Sequence, residues 1–135
     1  MKRTKLLILS SIIILFSCSE EVIPSNDCSQ DLICTEEFRT LIFSPKENDQ
    51  FKQLDTYYTL NLDNGNTYNY QDWNDQSGNE FYTIISDAEM NEIEKEGTNL
   101  RFIGIVGSTP AIEQDFVVGH DCCHIIPLEG PFEGF

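Results

Sequence analysis

The clearest hydrophobic pattern in the chain is an alternation with a period of two over residues 54–62. One face would carry Leu54, Thr56, Tyr58, Leu60 and Leu62, and the opposite face the residues between them. This period is typical of a half-buried β-strand. Asp63-Asn64-Gly65-Asn66 follows, and strand-like residues resume at Thr67. Because Asn and Gly both tolerate positive φ, the region predicts a β-hairpin.

Short β-rich segments and one capped helix account for most of the remaining pattern. Strands are predicted at about 36–44, 81–85, 100–106, 112–118 and 122–126. Ser86 and Glu89 have the spacing of a capping box and Gly97 can end the turn, so a helix is predicted over 87–95. Several short strands and one short helix predict an all-β fold, mainly an antiparallel β-sandwich.

The first 18 residues show a different pattern, which resembles a bacterial lipoprotein signal peptide. Basic residues at 2, 3 and 5 precede an apolar stretch over 6–16, and the small Ser17 stands before Cys18. The alternatives are an ordinary secretory signal or a membrane anchor, but the apolar stretch is too short to cross a bilayer as a helix. The resemblance implies cleavage before Cys18, lipidation of its sulfur and acylation of the new amino terminus, which together anchor the protein stably.

Three segments are therefore expected: a signal peptide over 1–17, the lipidated cysteine and a tether over 18–27, and a single β-sandwich domain over 28–135. The tether begins with Ser19-Glu20-Glu21, which is similar to the acidic tag that Bacteroidetes-type bacteria use to send lipoproteins to the outer face of the outer membrane. The expected location is the bacterial outer membrane, with the domain exposed at the surface.

Composition supports a folded domain with an acidic surface. Hydrophobic residues make up 40% of the chain, and its formal net charge is −15. The charge becomes more negative once the basic signal segment is removed. Such a field repels nucleic acid and anionic headgroups, so no nucleic-acid role is expected. The negative charge favours solubility, and it is compatible with the binding of cations or of a basic partner.

With Cys18 assigned to lipid, an even number of cysteines remains: Cys28, Cys34, Cys122 and Cys123. Outside the cytoplasm such thiols normally oxidise. Adjacent cysteines on an extended strand point to opposite faces, so each is expected to reach a different partner. We therefore predict two disulfides that tie the first pair to the final strand, with three connectivities possible in principle.

A metal site is the sharper alternative for the same region. Its ligands would be His120, Cys122, Cys123 and His124. Sulfur and imidazole together suit zinc or copper, but the ligand spacing does not match a compact zinc site. Redox chemistry is disfavoured because no Cys-x-x-Cys pair is present. No cofactor is expected.

The sequence offers little for catalysis or calcium binding. Both histidines lie beside the C-terminal cysteines, no Ser-His-Asp set with a plausible base is visible, and His124 is expected to be a packed, hydrogen-bonded residue. Neighbouring acidic residues are expected by chance among 23 Asp and Glu residues, so such pairs do not indicate a glycosidase. We therefore expect that the protein is not an enzyme. A polar loop has hard oxygen ligands at Asp72, Asn74, Asp75, Asn79 and Glu80. An EF-hand fails there, because Ser77 stands where glycine is needed.

Two cysteine motifs carry a family resemblance. Cys28 with Cys34-Thr35-Glu36-Glu37-Phe38-Arg39, and Asp121-Cys122-Cys123-His124, resemble small Bacteroidetes surface lipoproteins of unassigned function. These resemble transthyretin-like or carboxypeptidase-regulatory-like domains, which implies a seven-strand, immunoglobulin-style sandwich and no particular activity. The chain departs from that pattern at 44–49, where Ser-Pro-Lys-Glu-Asn-Asp replaces a Gly-Pro hairpin, so the pairing of the first two strands is open.

The function expected from these features is that of a lipid-anchored, non-catalytic accessory or binding module at the cell surface. Its partner would be a protein or a glycan, and its only membrane contact would be the lipid on Cys18. The alternative is a metal-handling surface protein that uses the C-terminal Cys/His cluster.

Overall fold

The computed structural model describes residues 28, 32–71 and 80–134. Nine β-strands and a short 3₁₀ helix are formed by these residues. The strands are β1 (Thr40–Phe43), β2 (Lys46–Glu47), β3 (Gln50–Phe51), β4 (Thr56–Asn61), β5 (Thr67–Tyr68), β6 (Tyr82–Ser86), β7 (Thr98–Val106), β8 (Thr109–His120) and β9 (Ile125–Glu129). The 3₁₀ helix spans Asp87–Glu92. Within this part of the chain, no helix is long and apolar enough to cross a membrane.

The strands form one large antiparallel sheet and two small ones. The large sheet has five strands in the order β5-β4-β7-β8-β9, and β1 pairs with β6 in a sheet of two. β2 and β3 form a separate hairpin. Since the strands pair antiparallel and helix content is small, the expected all-β, sandwich-like class is confirmed.

The core lies between the inner face of the five-stranded sheet and the β1–β6 pair. Phe102 of β7 is fully buried at its centre, and its ring centroid lies 5.4 Å from those of Phe43 and Tyr57. Every residue of β6 is buried. Its five positions therefore show no alternation between buried and exposed residues, and two of them, Thr83 and Ser86, are polar. Leu41 of β1 and Ile125 of β9 are also fully buried, so the sequence ends of the domain meet in the same core.

The predicted hairpin and helix cap are both present. β4 pairs with β5 across the 62–66 loop, and Gly65 has a φ of 82°. Ser86 and Glu89 form a reciprocal capping box. The helix is of the 3₁₀ type and ends at Glu92, before the predicted end at 95, and Gly97 donates its N–H to the Glu94 carbonyl in the turn that follows.

The face of β4 that is buried is the more polar one. Tyr57, Thr59 and Asn61 point into the core, whereas Leu62 is 43% exposed. Burial of Asn61 is favourable because its amide donates to the Tyr68 hydroxyl and its side-chain oxygen accepts two backbone N–H groups of the adjoining loop. The Thr59 hydroxyl has no hydrogen-bond partner among the described residues.

Two segments differ from the sequence-based expectation. Residues 46–51, between the first two predicted strands, form a tight hairpin in which Asn48 and Asp49 have φ of 53° and 63°. Positive φ at both turn residues is the type I′ geometry, which Asn and Asp tolerate. The last strand begins at Ile125 rather than at Cys122, because residues 121–124 form a turn in which Cys122 has a φ of 75°.

Candidate functional site

Two disulfides join the start of the domain to the turn between β8 and β9. Cys28 is bonded to Cys122, with a Cα–Cα distance of 5.5 Å, and Cys34 is bonded to Cys123, with a distance of 5.3 Å. The expectation of disulfides between the two ends of the domain is confirmed. We call this region the clasp, and define it as Cys28, residues 32–39 and residues 120–125.

The turn explains how adjacent cysteines reach different partners. The Asp121 side chain accepts hydrogen bonds from the backbone N–H groups of Cys123 at 3.0 Å and of His124 at 2.7 Å. The Asp121 N–H donates to the His124 carbonyl at 3.0 Å. These bonds are typical of an Asx turn, in which Asp replaces a backbone partner. A tight turn, and not the alternation of an extended strand, therefore separates the two sulfurs.

A chain of three polar side chains crosses the clasp. The Thr35 hydroxyl lies 3.0 Å from His124 Nε2, and His124 Nδ1 lies 2.8 Å from the Asp87 carboxylate. An ionised carboxylate can only accept, so the proton of this pair is carried by Nδ1. In neutral imidazole Nε2 is then the acceptor, and the Thr35 hydroxyl donates to it.

Asp87 is the fixed end of this chain of hydrogen bonds. One carboxylate oxygen accepts from the Ile125 N–H at 2.8 Å, and the other accepts from the Arg39 N–H at 2.7 Å and faces His124. Burial raises the pKa of the Asp87 carboxyl, but the hydrogen bonds from Arg39, His124 and Ile125 outweigh it, so the pKa lies below its ordinary value. Asp87 therefore stays ionised and links the 3₁₀ helix to both halves of the clasp.

The three side chains differ in exposure. His124 is 5% exposed, and the side chain of Asp87 is 10% exposed. Thr35 lies on the exposed segment that precedes β1. The arrangement therefore joins a buried imidazole and a largely buried carboxylate to a threonine on the exposed segment.

The cysteine and histidine side chains are not assembled as the ligand set that the sequence suggested. Cys28, His120 and Cys122 have ligand atoms within 4.8 Å of one another, but the two sulfurs are bonded to each other. Nδ1 of the buried His120 accepts from the Cys122 N–H at 3.1 Å. His124 directs both ring nitrogens to Asp87 and Thr35. A sulfur in a disulfide is not the thiolate that zinc or copper binds.

Other sequence candidates lie outside the described residues or on the surface. Cys18, the predicted lipidation site, lies outside the described residues, as do four of the five calcium candidates, Asp72, Asn74, Asp75 and Asn79. Glu80 is described and is exposed. The acidic pair Glu36-Glu37 is exposed beside Thr35.

Sequence reasoning identified His124 as a packed, hydrogen-bonded residue but missed its partners. In the sequence, Asp87 belongs to the predicted helix start and Thr35 to one of the two cysteine motifs. Their separations from His124 in sequence, 37 and 89 residues, follow no local pattern. Knowledge of the Cys34–Cys123 pairing would have placed Thr35 near His124, because each of these residues directly follows one of the two cysteines.

Comparison with protein-family models, with curated proteins and with solved structures finds no match for this chain. The candidate site is therefore defined by its geometry: a disulfide-bonded clasp that holds a threonine, a histidine and an aspartate in hydrogen-bond contact.

Proposed function

We propose that the protein is a lipid-anchored accessory module of a bacterial outer membrane, which binds a protein or glycan partner outside the cell. The observation that supports binding is the outer face of the five-stranded sheet, which presents half-exposed apolar side chains on neighbouring strands. The inner face of the same sheet is used by the core.

The outer face is built by the register of β4 and β7. Tyr58 lies opposite Ile103, and Thr56 lies opposite Ile105. Leu60 lies opposite Arg101, whose guanidinium reaches across to Asp115 on β8 at 2.6 and 2.9 Å. The apolar members of the face, Tyr58, Leu60, Ile103 and Ile105, are half-buried rather than covered. A contiguous apolar patch rimmed by charged groups is typical of an interaction surface.

Charge narrows the class of partner. The formal net charge of the chain is −15. Long-range repulsion disfavours strongly acidic partners, and a neutral glycan or a basic protein surface is compatible with the field. Aromatic side chains and arginine, represented on this face by Tyr58 and Arg101, are also enriched in protein interfaces.

The anchor is supported by the sequence pattern around Cys18 alone. The disulfides are typical of an oxidising compartment, with which a location outside the cytoplasm is compatible. Labelling of cells with a radioactive fatty acid tests the anchor. Wild-type protein should incorporate the label, and Cys18→Ala should not, because no other cysteine follows an apolar signal segment. Label that survives the substitution would remove the lipoprotein assignment.

Site-specific crosslinking of the intact lipoprotein in cells tests the binding face. A photo-crosslinker at position 60 should give a discrete adduct, and Ile103→Glu should abolish it because a charge then lies in the apolar patch. The matched control is Val106→Glu, which places a charge at an exposed position at the end of β7. Equal loss of the adduct in both variants, or none in either, would contradict the assignment of this face.

A further inference from the structure

The clasp contains a hydroxyl, an imidazole and a carboxylate in the order used by hydrolases with an activated nucleophile. The Thr35 hydroxyl contacts Nε2 of His124 at 3.0 Å, and Nδ1 contacts Asp87 at 2.8 Å. Such sets are recognised by geometry and by the role of each group rather than by sequence order. The first distance lies within the range over which a base can take a proton from a nucleophile, and the second within the range over which a carboxylate orients that base.

We propose that Thr35 is a nucleophile for acyl transfer, with His124 as its general base and Asp87 as the positioning residue, and that the site hydrolyses neutral esters. The proposal goes beyond the binding function above and departs from the expectation of a non-catalytic protein.

Each group has the environment that its role requires. Asp87 is fixed by two backbone N–H groups, so its charge and orientation are set before any substrate arrives. His124 is buried and held on both ring nitrogens, which fixes the tautomer. Thr35 is an exposed residue on the segment before β1, so a substrate can approach it from solvent.

The second disulfide positions the nucleophile against the base. Thr35 directly follows Cys34, and His124 directly follows Cys123. The bond between these two cysteines therefore ties the neighbours of both reacting groups together. A covalent restraint of this kind keeps the groups in a reactive geometry without loss of entropy during the reaction.

The reaction balances without any further reagent than water. The Thr35 oxygen bonds to the carbonyl carbon of the ester while its proton passes to His124 Nε2. The bond from that carbon to the alkoxy oxygen then breaks, and His124 returns the proton to the departing alcohol. Water attacks the acyl–threonine through the same base, which releases the acid and restores the Thr35 hydroxyl.

The surroundings of Thr35 define the class of ester. Glu36 and Glu37 are exposed next to it, and their charges disfavour anionic substrates. Leu32 and Ile33 are 48% and 95% exposed on the same segment, and they offer apolar surface to an acyl chain. A neutral ester with a short aliphatic acyl group fits these conditions.

The test uses the full chain with its disulfides intact. A fluorophosphonate probe should label the protein, and peptide mass spectrometry should place the label on Thr35. Hydrolysis of p-nitrophenyl butyrate should fall by about 100-fold or more in Thr35→Val, the scale of general-base catalysis. Thr35→Ser should retain hydrolysis, and Thr109→Val, an exposed threonine on β8, should match the wild type.

The positioning roles are tested separately. Asp87→Asn and the double variant Cys34→Ser/Cys123→Ser should lower kcat by at least 10-fold with little change in KM, while Cys28–Cys122 keeps the ends joined. Urea unfolding of each variant identifies any loss that comes from unfolding alone.

The outcome that overturns the proposal is equally definite. If the probe leaves Thr35 unlabelled, and folded Thr35→Val hydrolyses the ester at the wild-type rate, the two hydrogen bonds that join Thr35, His124 and Asp87 serve structure only. That result leaves the outer-face crosslink untouched, because position 60 lies on β4 and outside the clasp. The two proposals can therefore fail independently.

Discussion

The five-stranded sheet and the clasp are stabilised in different ways. In the sheet, β7 and β8 have 9 and 12 residues, and aromatic side chains fill its inner face. In the clasp, residues 32–38 are exposed and form no strand. Two disulfides and the bonds to Asp87 and Asp121 hold it together.

The comparison shows that one small domain can divide its stability between burial and cross-links. Burial acts on the folded state through apolar area removed from water. Disulfides act mainly on the unfolded state, by reducing the number of conformations it can adopt. The sheet should therefore respond to changes in volume, and the clasp to reduction and to pH.

Removal of both disulfides should have the largest effect. The last remaining bridge closes a ring of nearly the whole domain, worth about 4 to 5 kcal/mol, whereas the second bridge closes only a short ring through 28–34 and 122–123, worth roughly 2 to 3 kcal/mol. Removing either bridge alone should lower the free energy of unfolding by the smaller amount, because the other bridge still closes the large ring. Removing both should lower it by more than the sum of the two single losses. Urea unfolding of the three variants measures this. If the loss in the variant without either bridge equals the sum of the two single losses, the view that both bridges close the same large ring is contradicted.

Truncation of a buried aromatic side chain in the sheet should have the second-largest effect on stability. Phe102→Ala removes a fully buried ring that contacts Phe43, Tyr57 and Tyr82, and should cost about 3 to 5 kcal/mol. The control is Leu60→Ala on the half-exposed outer face, which should cost less than half as much. Urea midpoints provide the measurement, and equal losses would mean that the core is not where the structure has it.

Loss of the Asp87 charge should be smaller and dependent on pH. The folded-state pKa of Asp87 lies below its ordinary value, because its hydrogen bonds outweigh burial. Its stabilisation is therefore complete above the unfolded pKa, near 4, and is lost as pH falls through the folded pKa. Asp87→Asn should cost about 1.5 to 3 kcal/mol at neutral pH. It should also flatten the acid limb of a stability-versus-pH curve. Asp115→Asn, an exposed carboxylate whose pKa is lowered by Arg101, should change that limb less.

The smallest expected effect has the opposite sign. Thr59→Val removes a fully buried hydroxyl without a hydrogen-bond partner in the described part of the chain and keeps the shape of the side chain. It should stabilise the domain by about 1 kcal/mol. Thr98→Val is the contrast, because the Thr98 hydroxyl accepts from the Glu94 N–H at 2.7 Å, and it should destabilise. Thermal melts of the two variants should shift in opposite directions.

The sheet was largely predictable from sequence because its signals are local. Gly65 marked the β4–β5 hairpin, and Ser86 with Glu89 marked the helix start. Even so, the buried face of β4 was hidden, since burial of Asn61 depends on Tyr68 and on a loop that closes over it. The type I′ turn at Asn48-Asp49 was overlooked because its strands have only two residues each.

The clasp was predictable only in part. The even number of cysteines that remains without Cys18, together with the expected oxidising compartment, predicted two bridges between the ends of the domain. The supporting argument, that Cys122 and Cys123 alternate on a strand, was wrong, because both lie in a turn. The contact of His124 with Asp87 depends on long-range folding, and no spacing in the sequence encodes it.

A thiol count in matched cysteine variants tests the clasp most directly. If the pairs are Cys28–Cys122 and Cys34–Cys123, the double variant Cys28→Ser/Cys122→Ser keeps Cys34 and Cys123, which can bond to each other. The double variant Cys28→Ser/Cys123→Ser keeps Cys34 and Cys122, which belong to different bridges. After air oxidation and titration under denaturing conditions, the first variant should show no free thiol in the domain, and the second should show two. Two free thiols in the first variant and none in the second would contradict the pairing, and with it the account of how the clasp holds Thr35 against His124.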